Sequence, residues 1–275
     1  YTFSDSFWFS AVEGEVYALS SFFTAVTFWC ILKWEESFGK PHANKWLVLI
    51  SFLIGLSIGV HLLSLLTIPA ISLIWGWKTF KPGSLSAKDG TSDVFKKILG
   101  PLTALAGGSI LLFFLQGMLI PGTASLMGMF DKFFVNSLGL GFNSGAIFFI
   151  FLIFTLLASG IYYTQYVANS PTINTVLACI LFLFIGYSSY TSVMIRSSAN
   201  TPINIGTPSD PLSLSSYLQR DQYGDWPVFS GNYYYAAKLR GENTDSVYAK
   251  VNNRYKGVSV DYEIVYPNEK EQRRM

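Results

Sequence analysis

The sequence predicts an α-helical polytopic membrane protein that ends in a small mixed α/β tail. Of its 275 residues, 51% are hydrophobic and only 13% are charged. The apolar residues are bunched into runs long enough to cross a bilayer core of about 30 Å, which takes about 20 helical residues. Charges lie almost wholly between these runs, and the period-2 alternation of a membrane β-barrel is absent. The runs are therefore expected to be helices.

The chain is expected to contain two regions. Residues 1–195 form the predicted transmembrane module, and residues 196–275 form a tail on the extracytoplasmic side. The predicted spans are about 16–34, 46–58, 62–77, 98–120, 142–167 and 173–195. In the tail, a helix should begin at Ser209-Asp210-Pro211, and strand-like alternation covers 258–266. Because the chain opens at Tyr1 and stops soon after that strand, we expect a fragment with a truncated tail.

Lysine-rich loops predict that residues 46–58 and 62–77 form a hairpin. Lysines flank the apolar run 46–77 on both sides: Lys33, Lys40 and Lys45 precede it, and Lys78, Lys81, Lys88, Lys96 and Lys97 follow it. Such loops favour the cytoplasmic side, so a single span between them would leave one basic loop outside. As one helix the run would also measure about 48 Å. A turn near 59–61 removes both problems and places His61 at the outer side.

Counting the spans onward predicts which polar segments share a face. The lysine-poor loop at 121–141 is expected outside, a short loop near 169–171 inside, and the tail outside. The beginning of the chain is then outside as well. Three features should therefore meet on the outer face: the acidic start with Glu13 and Glu15, the His61 turn and the tail.

The two acidic residues before the first span are candidates for an active-site carboxylate. A charged side chain next to a membrane span has a high desolvation cost, so such residues usually have a function. Glu15 lies closer to the apolar run than Glu13 does. In a helix their i, i+2 spacing would point them to different faces, so at most one would face a shared cavity. The alternative is a helix-start acid stabilised by the macrodipole.

Four later side chains are candidates for binding a phosphate or a sugar. His61 can donate to either group near neutral pH, or it can simply cap or pack. Arg196 leaves the last span at headgroup level, where it either pairs with a phosphate or snorkels. Arg220 and Tyr223 are expected together at i, i+3 on the tail helix, as part of a lid over a lipid-linked substrate or on a docked surface helix.

Other functional classes have little support. No phosphate-cradling loop, serine nucleophile elbow or paired metal-binding motif occurs in its proper context. Cys30 and Cys179 fall in separate apolar runs and are expected to be reduced packing residues. The net charge of +2 decides little about partners. No nucleic-acid partner, metal or dedicated cofactor is expected.

Several motifs resemble one bacterial membrane family. They are FWFSAVEGEVYAL at 7–19, GLSIGVHLL at 55–63, IRSSANTPIN at 195–204 and QRDQYGDWP at 219–227. The chain resembles the large Bacteroidetes-type family long labelled a domain of unknown function. That family is similar to the eukaryotic O-mannosyltransferases that modify plexin ectodomains. The resemblance extends over nearly the whole chain.

The resemblance implies a GT-C glycosyltransferase with an extracytoplasmic active site, in the bacterial inner membrane. It implies a polyprenyl-phosphate-linked sugar, mannose, as donor, a protein hydroxyl as acceptor, and inversion at the anomeric carbon. It also implies a catalytic Asp in a first outer loop, expected before Tyr1, and Glu15 resembles a later acidic position at the start of a following span. A multi-span transporter and a non-catalytic membrane scaffold are the alternatives.

Overall fold

The computed structural model describes residues 3–81, 90–199, 201–219, 230–232, 239–265 and 272–274. In these residues, four helices are long and apolar enough to cross a membrane: Leu62–Phe80, Thr91–Asn136, Ser144–Tyr166 and Pro171–Ser198. The number rises to five if α1 (Asp5–Val12) and α2 (Tyr17–Glu36), which are bent by 110° at a short break, form one span. The predicted class of helical polytopic membrane protein is confirmed.

The chain divides into two compact units. The first contains Tyr1–Ile120 and Phe151–Val193, and the second contains Pro121–Ile150 and Met194–Met275. The later helices are α3 (Lys45–Ile58), α4 (Thr67–Phe80), α5 (Thr91–Phe114), α6 (Ile120–Asn136), α7 (Ser144–Tyr166), α8 (Pro171–Tyr187), α9 (Thr191–Ser198) and α10 (Pro211–Gln219). The strands are β1 (Ser230–Asn232), β2 (Leu239–Val251), β3 (Arg254–Val265) and β4 (Gln272–Arg274). β1 pairs with β4, and β2 pairs with β3, both antiparallel.

Small residues bring neighbouring helices of the first unit into backbone contact. A Cβ at Gly55 of α3 would overlap the carbonyl group of Leu183 on α8, and one at Gly186 would overlap the backbone of α3. Gly108 of α5 packs in the same way against Ser72 of α4. Helices in lipid associate through such close packing, because apolar burial alone does not favour protein over lipid.

The lysine-bearing ends of α3 and α4 lie at one end of α2. At the start of α3, the Trp46 ring is 5.5 Å from the Trp29 ring of α2, edge to face. At the end of α4, the Lys78 Nζ atom is 2.8 Å from Glu35 Oε1. The start of α3 and the end of α4 therefore both contact the C-terminal half of α2, and the membrane hairpin stays a prediction. With 14 residues, α3 is about 21 Å long, shorter than a bilayer core.

The helix that begins at Thr91 continues past the point where the sequence predicted a loop. α5, a π-helical segment (Leu115–Leu119) and α6 run without interruption for 46 residues, about 69 Å. The predicted loop at 121–141 is thus helical as far as Asn136. Pro121 lacks the N–H group that would bond to the carbonyl one turn earlier. That carbonyl lies in the π segment, whose wider turn accommodates the proline ring.

A buried carboxylate organises the core of the second unit. Asp131 of α6 is 0% exposed. It accepts hydrogen bonds of 3.0–3.4 Å from the backbone N–H groups of Asn143, Gly145 and Ala146 at the start of α7. The hydroxyl of Tyr255 on β3 donates to it at 2.7 Å. Each oxygen has two donors, and the positive end of the helix dipole stabilises the charge. Asp131 is therefore a structural cap.

The same tyrosine joins the β2–β3 hairpin to α6. The Tyr255 N–H donates to the Asn136 side chain at 2.9 Å, and the Asn136 amide donates back to the Tyr255 carbonyl at 2.8 Å. The Phe142 ring meets the Tyr255 ring edge to face at 5.1 Å. Asn252 and Asn253 close the hairpin with φ of 49° and 60°. Asparagine tolerates this left-handed conformation, which suits two-residue hairpin turns.

The tail helix begins where the sequence placed it. The Asp210 carboxylate accepts from the N–H groups of Leu212 and Ser213 at 3.0 and 3.1 Å, which caps α10. The structure describes this helix as far as Gln219. Arg220 and Tyr223, which were predicted to share its last turn, lie outside the described residues.

We expect Gly186→Ala to destabilise the protein by about 1–3 kcal/mol, because the added methyl group forces α3 and α8 apart. The matched control is Gly107→Ala, since a Cβ at Gly107 meets no atom within 4 Å. Thermal unfolding in detergent measures both. Equal melting temperatures for the two variants would contradict the close contact between these helices.

We expect Tyr255→Phe to lower the free energy of unfolding. The variant should also lack the decline in that free energy that deprotonation of Tyr255 causes at alkaline pH. Burial, together with the hydrogen bond to Asp131, raises the pKa of Tyr255 well above its usual value near 10. The folded state therefore holds this proton more tightly than the unfolded chain does. This stabilisation is complete below about pH 10 and declines as the pH rises further.

At neutral pH, Tyr255→Phe should lower the free energy of unfolding by about 1.5–3 kcal/mol, because it removes a hydrogen bond to the charged Asp131 carboxylate. Denaturant unfolding of both proteins at pH 8 and at alkaline pH measures the difference. If the two proteins lost stability in parallel as the pH rose, the account of Tyr255 would be wrong.

Candidate functional site

The bend between α1 and α2 forms an elbow, defined here as residues 4–21. The two helices meet at 110°, so α1 lies along the membrane surface if α2 crosses the bilayer. The side chains of Trp8, Phe9 and Val12 on α1 are 58%, 63% and 64% exposed. Aromatic and apolar side chains on a helix in this orientation are typical of the membrane interface. The elbow thus has the geometry of an interfacial helix joined to a span.

A groove of about 180 Å³ lies inside the elbow. Its lining is mostly hydroxyl-bearing: Ser4, Ser6, Ser10, Ser21 and Tyr17, with Phe7 and Ala18. Each hydroxyl can donate one hydrogen bond and accept two. Such a lining suits a ligand with many hydroxyl or phosphate oxygens, while the aromatic rings offer a face to a sugar. The groove is therefore a candidate site for a sugar or phosphate group at the membrane surface.

The two candidate carboxylates lie in the break of the elbow. Glu13 ends α1, Glu15 follows Gly14, and both side chains are exposed. The expectation that they occupy different faces of one helix does not apply, because the chain leaves helical conformation between α1 and α2. Their separation is set by an extended segment. Both carboxylates are accessible to a ligand.

His61 lies at the same end of α2 as these carboxylates. Its ring centroid is 5.6 Å from that of Tyr17, the first residue of α2. The Nδ1 atom accepts the Leu63 N–H at 3.1 Å, which caps the short 3-10 helix Leu62–Leu66. A neutral His61 ring consequently carries its proton on Nε2. The capping role that the sequence left open is observed, and it leaves Nε2–H as a donor.

The predicted site residues fall into three groups. His61 contacts Tyr17 at the start of α2, and Glu13 and Glu15 precede Tyr17 by four and two residues. Arg196 is exposed near the end of α9 and belongs to the second unit. Arg220 and Tyr223 are outside the described residues. The structure thus brings together the acidic start and the His61 turn, two of the three features expected to share a face.

Sequence reasoning missed two features. The groove serines were overlooked because serine is common in turns and short helices, and only the bend turns them toward one another. Asp131 was overlooked although a signal was present: it is an acid inside the apolar stretch 126–135. Such a residue is expensive unless it is paired. Its partners, however, include a tyrosine 124 residues away.

Comparison with known proteins gives one finding. Comparisons with curated proteins and with solved structures gave no match. Residues 1–84 match the family model described as the Protein O-mannosyl-transferase TMEM260 N-terminal domain. This segment contains the elbow, its groove, both carboxylates and His61. The match points to an O-mannosyltransferase-related family.

Proposed function

We propose that this chain is part of a GT-C-type membrane glycosyltransferase that moves mannose from a polyprenyl-phosphate donor to a protein hydroxyl. The reaction would take place on the extracytoplasmic side, in a bacterial inner membrane. The observation that carries the proposal is the elbow, where a hydroxyl-lined groove includes Tyr17, His61 contacts the Tyr17 ring, and two exposed carboxylates precede Tyr17 in the chain. The family match over residues 1–84 supports the proposal because it covers the same segment.

The position that we propose for the groove, at the membrane interface, suits a donor with a lipid chain at one end and a sugar at the other. A polyprenyl chain stays in the hydrocarbon, so its phosphate and sugar lie at the interface. If α1 is interfacial, the groove would be at that level, and the exposed Trp8 and Phe9 would contact the lipid through which the chain passes. The serine hydroxyls would bind the sugar or the phosphate oxygens.

Transfer requires proton removal and stabilisation of a leaving group. In the proposed reaction the acceptor oxygen attacks the anomeric carbon, while the bond from that carbon to the phosphate oxygen breaks. Glu15 would accept the hydroxyl proton, with Glu13 as the second candidate. The phosphate leaves with the bonding electron pair, and the His61 Nε2–H would donate to its developing charge. Arg196, Arg220 and Tyr223 are further proposed donors to the phosphate or sugar.

We expect Glu15→Gln to lower mannose transfer about 10²–10⁴-fold, the usual effect of losing a general base. The assay uses the full-length protein in proteoliposomes with polyprenyl-phosphate-mannose and an acceptor protein. Glu36→Gln is the matched control, because Glu36 is an exposed acid at the opposite end of α2, where it pairs with Lys33. That variant should transfer mannose normally.

A loss in Glu13→Gln rather than in Glu15→Gln would move the catalytic role to Glu13. Normal transfer by both variants would contradict the proposed site, leaving these acids as helix-end charges. No transfer by the unmodified protein with this donor would contradict the proposed function, and would favour a transporter or a scaffold.

A further inference from the structure

Four basic residues surround the turn of the β2–β3 hairpin and the end of α6. We call Lys132, Lys250, Arg254 and Lys256 the basic tip. The last three are exposed and Lys132 is half-buried. Within the described residues no ion pair involves any of them. The tip is thus a local concentration of positive charge on the surface of the second unit.

Aromatic rings hold two of these ammonium groups in place. The Lys132 Nζ atom is 3.5 Å from the centre of the Tyr248 ring, and the Lys250 Nζ atom is 5.1 Å from that of Phe142. A ring face attracts a cation but does not neutralise its charge. The positive charge therefore remains available to an anionic partner.

Among the side chains that the structure describes in the second unit, no carboxylate pairs with this charge. Asp131 and Asp210 are the carboxylates whose side chains are described in the second unit. Both are buried, and both are occupied by the hydrogen bonds that cap α7 and α10. The charged side chains that the structure describes as exposed or half-buried around the hairpin turn are accordingly all basic.

Contacts at the start of α7 indicate the depth of the tip. α7 has 23 residues and is about 34 Å long, close to the thickness of a bilayer core. Tyr255 of the hairpin reaches the first turn of α7 through Asp131. On α7 itself, exposed apolar side chains begin one turn later, with Ile147 67% exposed and Phe148 42% exposed. If α7 crosses the bilayer, lipid reaches almost to the hairpin, and the tip lies at the level of the headgroups.

We infer that the basic tip binds the phosphate groups of anionic phospholipids in the leaflet at the N-terminal end of α7. Lys132 and Lys250, held over aromatic rings, face the interface together with Arg254 and Lys256. Aromatic and basic side chains are typical of this level of the membrane. The contact anchors the β2–β3 hairpin to the membrane surface through its turn, independently of any catalytic role of the elbow.

The test measures how close the turn lies to lipid headgroups. A fluorophore is attached to Val251→Cys in a full-length chain whose Cys30 and Cys179 are replaced by alanine. The protein is placed in vesicles of phosphatidylcholine, or of equal parts phosphatidylcholine and phosphatidylglycerol, each with a trace of nitroxide-headgroup lipid. Quenching gives the ratio of docked to undocked hairpin. We expect stronger quenching with phosphatidylglycerol, weakening as salt is added.

Arg254→Ala/Lys256→Ala should lower this ratio about 25-fold, since each cation near an anionic surface contributes about fivefold. Neither side chain takes part in the two ring contacts, and both are exposed, so the fold should persist; near-ultraviolet circular dichroism checks this. Lys40→Ala/Lys45→Ala, which removes two exposed lysines from the first unit, should leave the ratio unchanged.

Equal quenching in the two kinds of vesicle would overturn the inference, as would equal ratios for the tip variant and its control. Protection of the fluorophore by a soluble acidic peptide in pure phosphatidylcholine, without any effect of phosphatidylglycerol, would assign the tip to a protein partner instead.

Discussion

The thickness of the bilayer limits how much of an apolar helix can stay in hydrocarbon, and two of the three longest apolar stretches of the described residues break where that limit is exceeded. An apolar helix much longer than about 20 residues leaves the hydrocarbon core, and three stretches of the described residues exceed even the 28 residues of Pro171–Ser198. The stretch from Asp5 to Glu36 bends by 110°. The run 46–77 breaks at 59–61, between α3 and the short 3-10 helix. The helix Thr91–Asn136 stays continuous and passes Pro121 by way of a π segment.

The first two breaks produce the candidate site. Because both fall at the same end of α2, the turn in one apolar stretch brings His61 against Tyr17, two residues after Glu15 at the bend of the other stretch. Breaks in transmembrane helices leave backbone and polar side chains at a depth where water is scarce. They are consequently where a membrane protein can place a polar reaction site. Close glycine packing between α3 and α8 fixes the neighbouring helices in position.

The features that depend on local composition were predictable from the sequence. The helical class, the break near His61 and the cap at Asp210 each follow from run length, lysine position or a short motif. The helix through Pro121 was not predicted, because a π segment has no clear sequence signature. The groove serines and the Asp131–Tyr255 contact depend on how distant segments pack. The spacing of Glu13 and Glu15 was misread as helical, since the bend at Gly14 is set by tertiary structure.

The central claim is that the elbow receives the lipid-linked donor. A photoreactive benzophenone residue in place of Phe7 would test it directly, with one in place of Phe38 as control. Phe7 lines the groove, whereas Phe38 follows the opposite end of α2 and is 37% exposed. After irradiation with radiolabelled polyprenyl-phosphate-mannose, the account predicts label at position 7, competed by unlabelled donor, and none at position 38. Equal labelling at both positions, or labelling at position 38 alone, would contradict it.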